Sequence, residues 1–280
     1  MLNDMKTVGI ADPAAILGVF EALALAAGAE IMEVRRTGVS AETKADDSPV
    51  TQADRRAEAV ILRGLAQSFP EVPVVAEEEV AAGRVPDTGK GPFILVDPLD
   101  GTREFIGGKP DFTVNIALVM GGEPVIGIVH APQRGQVWTG RPGLAETAAV
   151  VGGKLTGRRP VAGAACAEPP RMVASRSHRT AETDAFIARF GNCETVAVGS
   201  SLKFCLLAEG TADIYPRFGR TMEWDTAAGD AVLRAAGGVT LCTDGAPFLY
   251  GKRNQSGDSD FANPHFIAVS GQARARLILP

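Results

Sequence analysis

Two aspartates three residues apart flank a proline at the end of an apolar run, Phe93-Ile94-Leu95-Val96-Asp97-Pro98-Leu99-Asp100-Gly101-Thr102. A buried strand ending this way delivers two carboxylates around a turn that Pro98 stiffens. All-oxygen donor sets suit Mg²⁺, which takes carboxylates, carbonyls and retained waters. Gly101 and Thr102 then open a short helix, and N–H groups at a helix start can hold a phosphate. Cation ligands and an anion cradle would lie side by side. Taken alone, the segment is also readable as an Asp-rich turn with a helix cap.

Other acidic positions fit the same chemistry. Glu77 follows the strand-type run Val72 to Ala76, whereas Glu78 and Glu79 read as its solvated neighbours. In Glu223-Trp224-Asp225-Thr226-Ala227-Ala228-Gly229, Asp225 begins a helix whose small residues permit close packing. It is equally a plain N-cap. Asp54, in Thr51-Gln52-Ala53-Asp54, is ambiguous alone and would ordinarily be a first-turn acid favoured by the helix dipole.

The order Thr-x-x-Asp, Glu-Glu, Asp-Pro-Leu-Asp-Gly-Thr, Trp-Asp-x-x-Ala-Gly runs from residue 51 to 229 and resembles the inositol monophosphatase superfamily. These are lithium-sensitive, magnesium-dependent phosphatases. The resemblance implies that Glu77, Asp97 and the Leu99 carbonyl hold one Mg²⁺, and Asp97, Asp100 and Asp225 another, with two or three ions per site. It implies that Thr102, oriented by Asp54, activates a water, and that Gly101 and Thr102 offer backbone N–H groups to the phosphate. Bound metals lower the pKa of water and clamp phosphoryl oxygens, so no side-chain nucleophile is required.

Ser175-Arg176-Ser177-His178, Gly199-Ser200-Ser201-Leu202-Lys203-Phe204-Cys205, Tyr215-Pro216-Arg217-Phe218 and Thr221-Met222-Glu223-Trp224-Asp225 resemble the bacterial 3'(2'),5'-bisphosphate nucleotidase branch of that family. That resemblance implies hydrolysis of the 3'-phosphate of adenosine 3',5'-bisphosphate. The alternative is an inositol-1-phosphatase or a fructose-1,6-bisphosphatase-like sugar phosphatase on the same framework. A second substrate phosphate needs cations away from the metals; Lys203, Arg217 and His178 would supply them, and Ser200 a hydrogen bond. Lys203 and Arg217 are otherwise surface charges, and His178 a solvated loop residue. Glu223 either binds a substrate hydroxyl or merely precedes the motif. A non-catalytic descendant of the fold is disfavoured because every motif residue is present.

The elements that must position these groups are legible in outline. Pro13 to about Arg36 reads as a long helix ended at Gly38, and Thr51 to Phe69 as a second, stopped by Pro70. Thr43 to Pro49 reads as a polar loop. Thr113 to Met120 and Val125 to His130 form a hairpin pattern around Gly121-Gly122, followed by a strand at Gln136 to Thr139. Residues 140 to 170 are Gly-, Ala- and Pro-rich and weakly patterned, consistent with a lobe boundary. Beyond them, strands and helices alternate to the C-terminus. The expectation is an α/β layered sandwich of alternating helix and sheet layers. Residues 1–160 would form an N-terminal α+β lobe with most metal ligands, and 161–280 a C-terminal α/β lobe with Asp225 and the recognition residues.

Bulk properties restrict function further. The 280 residues carry a net charge of −5, which argues against broad nucleic-acid binding. It does not exclude an anionic substrate, because bound cations reverse the local sign. Four cysteines without a C-x-x-C pair suit reduced thiols and a cytoplasmic location. Peripheral attachment to the inner membrane is left open. Ala14 to Met32 is interrupted by Glu21 and Glu30, and the N-terminus lacks a signal-peptide pattern, so no membrane span is expected. The expected partner is a small phosphate monoester, with the chain a monomer or homodimer. P-loop, H-E-x-x-H and G-x-S-x-G signatures are absent.

Overall fold

The structure, a computed structural model, describes residues 12–44, 49–271 and 273. The first helix is α1, Pro13–Thr37. Asp12 caps it by accepting from the Ala14 N–H at 2.9 Å, Pro13 supplies the preset φ of a first position, and Gly38 ends it at φ 114°. By length and composition α1 could cross a membrane. Here its Phe20, Ala24, Ala27 and Ile31 are buried in a core cluster, and Glu21 and Glu30 pair with Arg158 and Arg56.

Strands β1 (Ala41–Thr43) and β2 (Pro49–Thr51) form an antiparallel ribbon; of the expected loop between them, residues 45–48 lie outside the described residues. Helix α2 (Gln52–Ser68) starts with a capping box: Thr51 Oγ1 accepts from the Ala53 N–H at 3.0 Å and Asp54 Oδ2 accepts from the Thr51 N–H at 2.7 Å.

A seven-stranded sheet follows in chain order: β3 (Val74–Ala76), β4 (Phe93–Asp100), β5 (Thr113–Met120), β6 (Glu123–Ala131), β7 (Gln136–Arg141), β8 (Leu144–Val151) and β9 (Lys154–Pro160). Strands β8 and β9 occupy much of the stretch 140–170, which the sequence patterns only weakly. They are a hairpin turned at Gly152-Gly153, both at positive φ. β9 is an almost wholly exposed edge carrying Lys154, Arg158 and Arg159, so it has no apolar alternation to reveal it.

A five-stranded sheet has the order β11 (Thr195–Val198), β10 (Met172–Ser175), β12 (Ile214–Arg217), β14 (Phe266–Val269), β13 (Val239–Cys242). Helices α6 (Leu202–Ala208) and α7 (Glu223–Ala235) lie between the sheets; α1 and α2 cover the outer face of the large sheet and α5 (Ala181–Ala188) that of the small one. The result is the expected alternation of helix and sheet layers. The period of two sorts each buried strand. Phe93 and Leu95 of β4 join the core between the sheets, while Ile94 and Val96 join the α1–α2 core.

Helix α7 sits unusually close to the large sheet. A Cβ on Gly127 of β6 would stand 2.6 Å from the Ala228 carbonyl, and one on Gly140 of β7 would stand 2.6 Å from that of Ala231. Glycines in the strands and alanines in the helix therefore set how deeply α7 is seated, and with it the position of Asp225.

Candidate active site

Strand β4 breaks where the chemistry begins. Its register against β5 shifts between Asp97 and Asp100, where Pro98 has no N–H to donate. The Leu99 N–H turns inward to Asp97 Oδ1 at 3.0 Å. Gly101, at φ 93°, leads into α4 (Thr102–Ile106); a Cβ there would meet the Asp111 carbonyl at 2.9 Å. The broken end opens into a cleft lined by Glu77, Asp97, Leu99, Asp100, Gly101, Thr102 and Asp225. Glu77 enters at the start of α3 (Glu77–Ala81) and Asp225 in the first turn of α7.

These four carboxylates, in one cleft, oppose one another's ionisation. Burial, then Glu77, Asp100 and Asp225, push Asp97 well above the usual carboxylate range. Asp225 is pushed up to about 8 by burial and by Asp100 and Glu77. Burial raises Glu77 to about 7 although Lys44 opposes the shift. Asp100 is raised by burial too, against the pull of Lys203 and Ser201.

Each carboxylate nevertheless has a protein partner. Lys44 Nζ donates to Glu77 at 2.6 Å, Ser201 Oγ contacts Asp100 at 3.0 Å, and the Met222 N–H donates to Asp225 at 2.7 Å. Among the described residues no three such side chains are closed into a ligand cage. The donor set still fits a hard divalent cation: all oxygen, in one cleft, and each charge made costly by its neighbours.

Asp54 stands behind this set, 2% exposed. It accepts from the Thr51 hydroxyl at 2.7 Å and from Thr102 Oγ1 at 3.1 Å. Thr102 Oγ1 also lies 3.1 Å from the Leu99 carbonyl. Burial is the largest influence on Asp54 and raises its pKa against those hydrogen bonds.

The facing wall carries the opposite sign. Lys203 and Arg217 are 5% and 6% exposed, yet both line the cleft. Lys203 Nζ donates to the Val198 carbonyl at 3.4 Å and to that of Ser200. Arg217 donates to the carbonyls of Gly219, His178 and Arg220, at 3.2, 3.4 and 2.8 Å. Neither forms an ion pair among the described residues. Burial holds Lys203 down to about 8, with Asp100 opposing. Burial, then Arg217, lowers His178 at the rim. Ser200 sits at φ 51° and its buried Oγ has no hydrogen-bond partner. An anion would satisfy all of these groups.

Glu223 stands apart from these cleft residues. It is fully buried away from the cleft and accepts from the N–H groups of Gly251 and Lys252 at 2.7 and 2.9 Å, with Lys252 Nζ at 2.8 Å. Its carboxylate braces that loop. Residues that the sequence motifs do not single out also reach the site. Ser201 and Asn115 support Asp100, and Lys44 holds Glu77. Asn115 left a signal, a polar residue inside the apolar run of β5. Lys44 and Ser201 left none that separates them from their neighbours.

The family model for inositol monophosphatases matches residues 12–273. The chain belongs to the inositol monophosphatase family. It is 43% identical over 246 residues to the 3'(2'),5'-bisphosphate nucleotidase CysQ of Escherichia coli K12, covering 87% of this chain and 95% of that one. A crystal structure of CysQ from Bacteroides thetaiotaomicron, itself a bacterial member of this family, superposes with a TM-score of 0.72 at 35% identity over 91% of this chain and 97% of that one. An inositol monophosphatase from Zymomonas mobilis gives 0.70 at 27% identity, over 91% and 92%. The layered fold is thus that of the family.

Proposed function

We propose that the protein is a magnesium-dependent 3'(2'),5'-bisphosphate nucleotidase of the cytoplasm. It would hydrolyse the 3'-phosphate of adenosine 3',5'-bisphosphate to give AMP and phosphate. The observation that carries this reading is that two buried cations, Lys203 and Arg217, which form no ion pair among the described residues, line the same cleft as the carboxylates of Glu77, Asp97, Asp100 and Asp225. Similarity to proteins named as bisphosphate nucleotidases supports it.

Glu77, Asp97, the Leu99 carbonyl, Asp100 and Asp225 would hold two or three Mg²⁺. Bound there, Mg²⁺ supplies Lewis acidity and a water of lowered pKa. The protein's own groups do the rest. The amides of Gly101 and Thr102 receive the transferred phosphate. Thr102 Oγ1 takes a proton from the attacking water as it passes its own to Asp54 Oδ1, 3.1 Å away. A buried carboxyl of raised pKa retains that proton. The new P–O bond forms from water, the bond to the 3'-oxygen breaks, and that oxygen takes a proton from solvent to leave as the 3'-hydroxyl of AMP. Lys203, Arg217, His178 and Ser200 hold the second phosphate, which does not react. That wall is what distinguishes a bisphosphate from a simple monoester.

A phosphate-release panel tests the reading. Adenosine 3',5'-bisphosphate should give a higher kcat/KM than inositol 1-phosphate or fructose 1,6-bisphosphate, with no turnover in a chelator. Preference for inositol 1-phosphate would overturn the substrate, and full activity in chelator the mechanism.

A further inference from the structure

We propose that Ser201 is a positioning residue whose hydroxyl, seated between Asp100 and the start of α7, sets the spacing between Asp100 and Asp225. This rests on both aspartates being cation ligands, as proposed above. Ser201 is 2% exposed and precedes α6 in the recognition wall. Its Oγ lies 3.0 Å from Asp100 Oδ2 and 2.7 Å from the Asp225 carbonyl, and it accepts from Asn115 Nδ2 at 2.8 Å. One hydroxyl thereby joins β5, the broken end of β4 and the first turn of α7.

The proton count makes the joint specific. Asn115 fills one lone pair of Ser201 Oγ. The single hydroxyl proton then faces two acceptors, the Asp100 carboxylate and the Asp225 carbonyl. Hydrogen bonds to an ionised carboxylate are the stronger kind, so an ionised Asp100 takes it. When a cation occupies that oxygen of Asp100, the proton has the Asp225 carbonyl at 2.7 Å to turn to, and no buried group is orphaned. Ser201 therefore seats Asp100 while that oxygen is free and tethers the first turn of α7 once a cation takes it, so the hydroxyl does not compete with the ion. Alanine would keep the Ser201 backbone N–H bond to the Asp100 carboxylate but remove the hydroxyl from Asp100 Oδ2, so that the remaining side-chain amide contact to that oxygen is the 3.5 Å one from Asn115.

The test is Mg²⁺ binding by titration calorimetry, together with melting temperature with and without Mg²⁺. Ser201→Ala should weaken Mg²⁺ binding about tenfold. It should shrink the Mg²⁺-induced rise in melting temperature. At saturating Mg²⁺ the KM for substrate should stay within about twofold. Asn115→Ala, which unseats the hydroxyl without removing it, should move Mg²⁺ affinity the same way by a smaller factor, and it decides the matter if Ser201→Ala does not fold. Asp97→Asn is the control. If it keeps wild-type Mg²⁺ affinity, the reading of the carboxylates as ligands fails. If it loses binding while Ser201→Ala and Asn115→Ala bind normally, the ligand reading stands and the role of Ser201 falls. Equal loss of melting temperature with and without Mg²⁺ would likewise make Ser201 merely structural.

Discussion

On the wall that ends β4, carboxylates crowd until each raises the pKa of the next, whereas on the facing wall Lys203 and Arg217 lie buried among carbonyls. Neither arrangement is stabilising alone. Buried charge is costly unless paired; Lys44 pairs with Glu77, while Lys203 and Arg217 form no ion pair among the described residues. The two walls also differ in their tolerance of change. On the proposed reading the carboxylate wall would serve any phosphate ester, while the cationic wall would matter only to a substrate with a second anionic group.

The largest break in that comparison is Asp97→Asn. It should lower turnover of every substrate ~10³-fold or more, about 4 kcal/mol of transition-state stabilisation, with the fold intact by circular dichroism. Equal loss on bisphosphate and monophosphate substrates marks the shared wall.

A smaller effect concerns stability. Burial and mutual repulsion push Asp225 up to about 8 and Glu77 up to about 7 in the fold, against ordinary values of 3.8 and 4.5. The folded protein then binds more protons than the unfolded chain, so stability falls as pH rises from the ordinary range through the folded values. Each tenfold difference in proton affinity between the folded and unfolded chain is worth about 1.4 kcal/mol. Without metal, the melting temperature should therefore drop by at least ~3 °C between pH 6 and 9. Mg²⁺ should restore it at pH 9 more than at pH 6. A flat profile would mean that the carboxylates do not oppose one another.

Smaller still is Glu223→Gln. If Glu223 braces Gly251 and Lys252, stability should fall by roughly 1–3 kcal/mol while KM for each substrate stays put. A selective rise in KM for inositol 1-phosphate would return Glu223 to the binding wall.

Much of this was legible in the sequence, for identifiable reasons. Strands buried on both faces, such as β4 and β5, write continuous apolar runs, and α1 and α2 carry their own caps. Strand β9 is an exposed edge, so packing imposed no pattern on it. Asp97, Asp100 and Thr102 share one short turn and could be read together. Asp54 and Asp225 became readable through family resemblance, because their distance from that turn in sequence hides their nearness in space. Ser201 was hidden because Ser200 and Ser201 are chemically identical, and only the backbone, left-handed at Ser200, decides which hydroxyl meets Asp100. Glu223 misled because it lies two residues before a true cleft residue, while its own side chain turns to the Gly251–Lys252 loop.

The most direct test of the two-wall account is Lys203→Ala, and Arg217→Ala beside it, assayed on adenosine 3',5'-bisphosphate and inositol 1-phosphate at saturating Mg²⁺. A charge-assisted contact is worth roughly 1.5–3 kcal/mol, about ten- to a hundred-fold in affinity. KM for the bisphosphate should rise on that scale while inositol 1-phosphate hydrolysis changes by less than about twofold. Equal losses on both substrates would contradict the account, because the cationic wall would then be serving the chemistry and not the second phosphate.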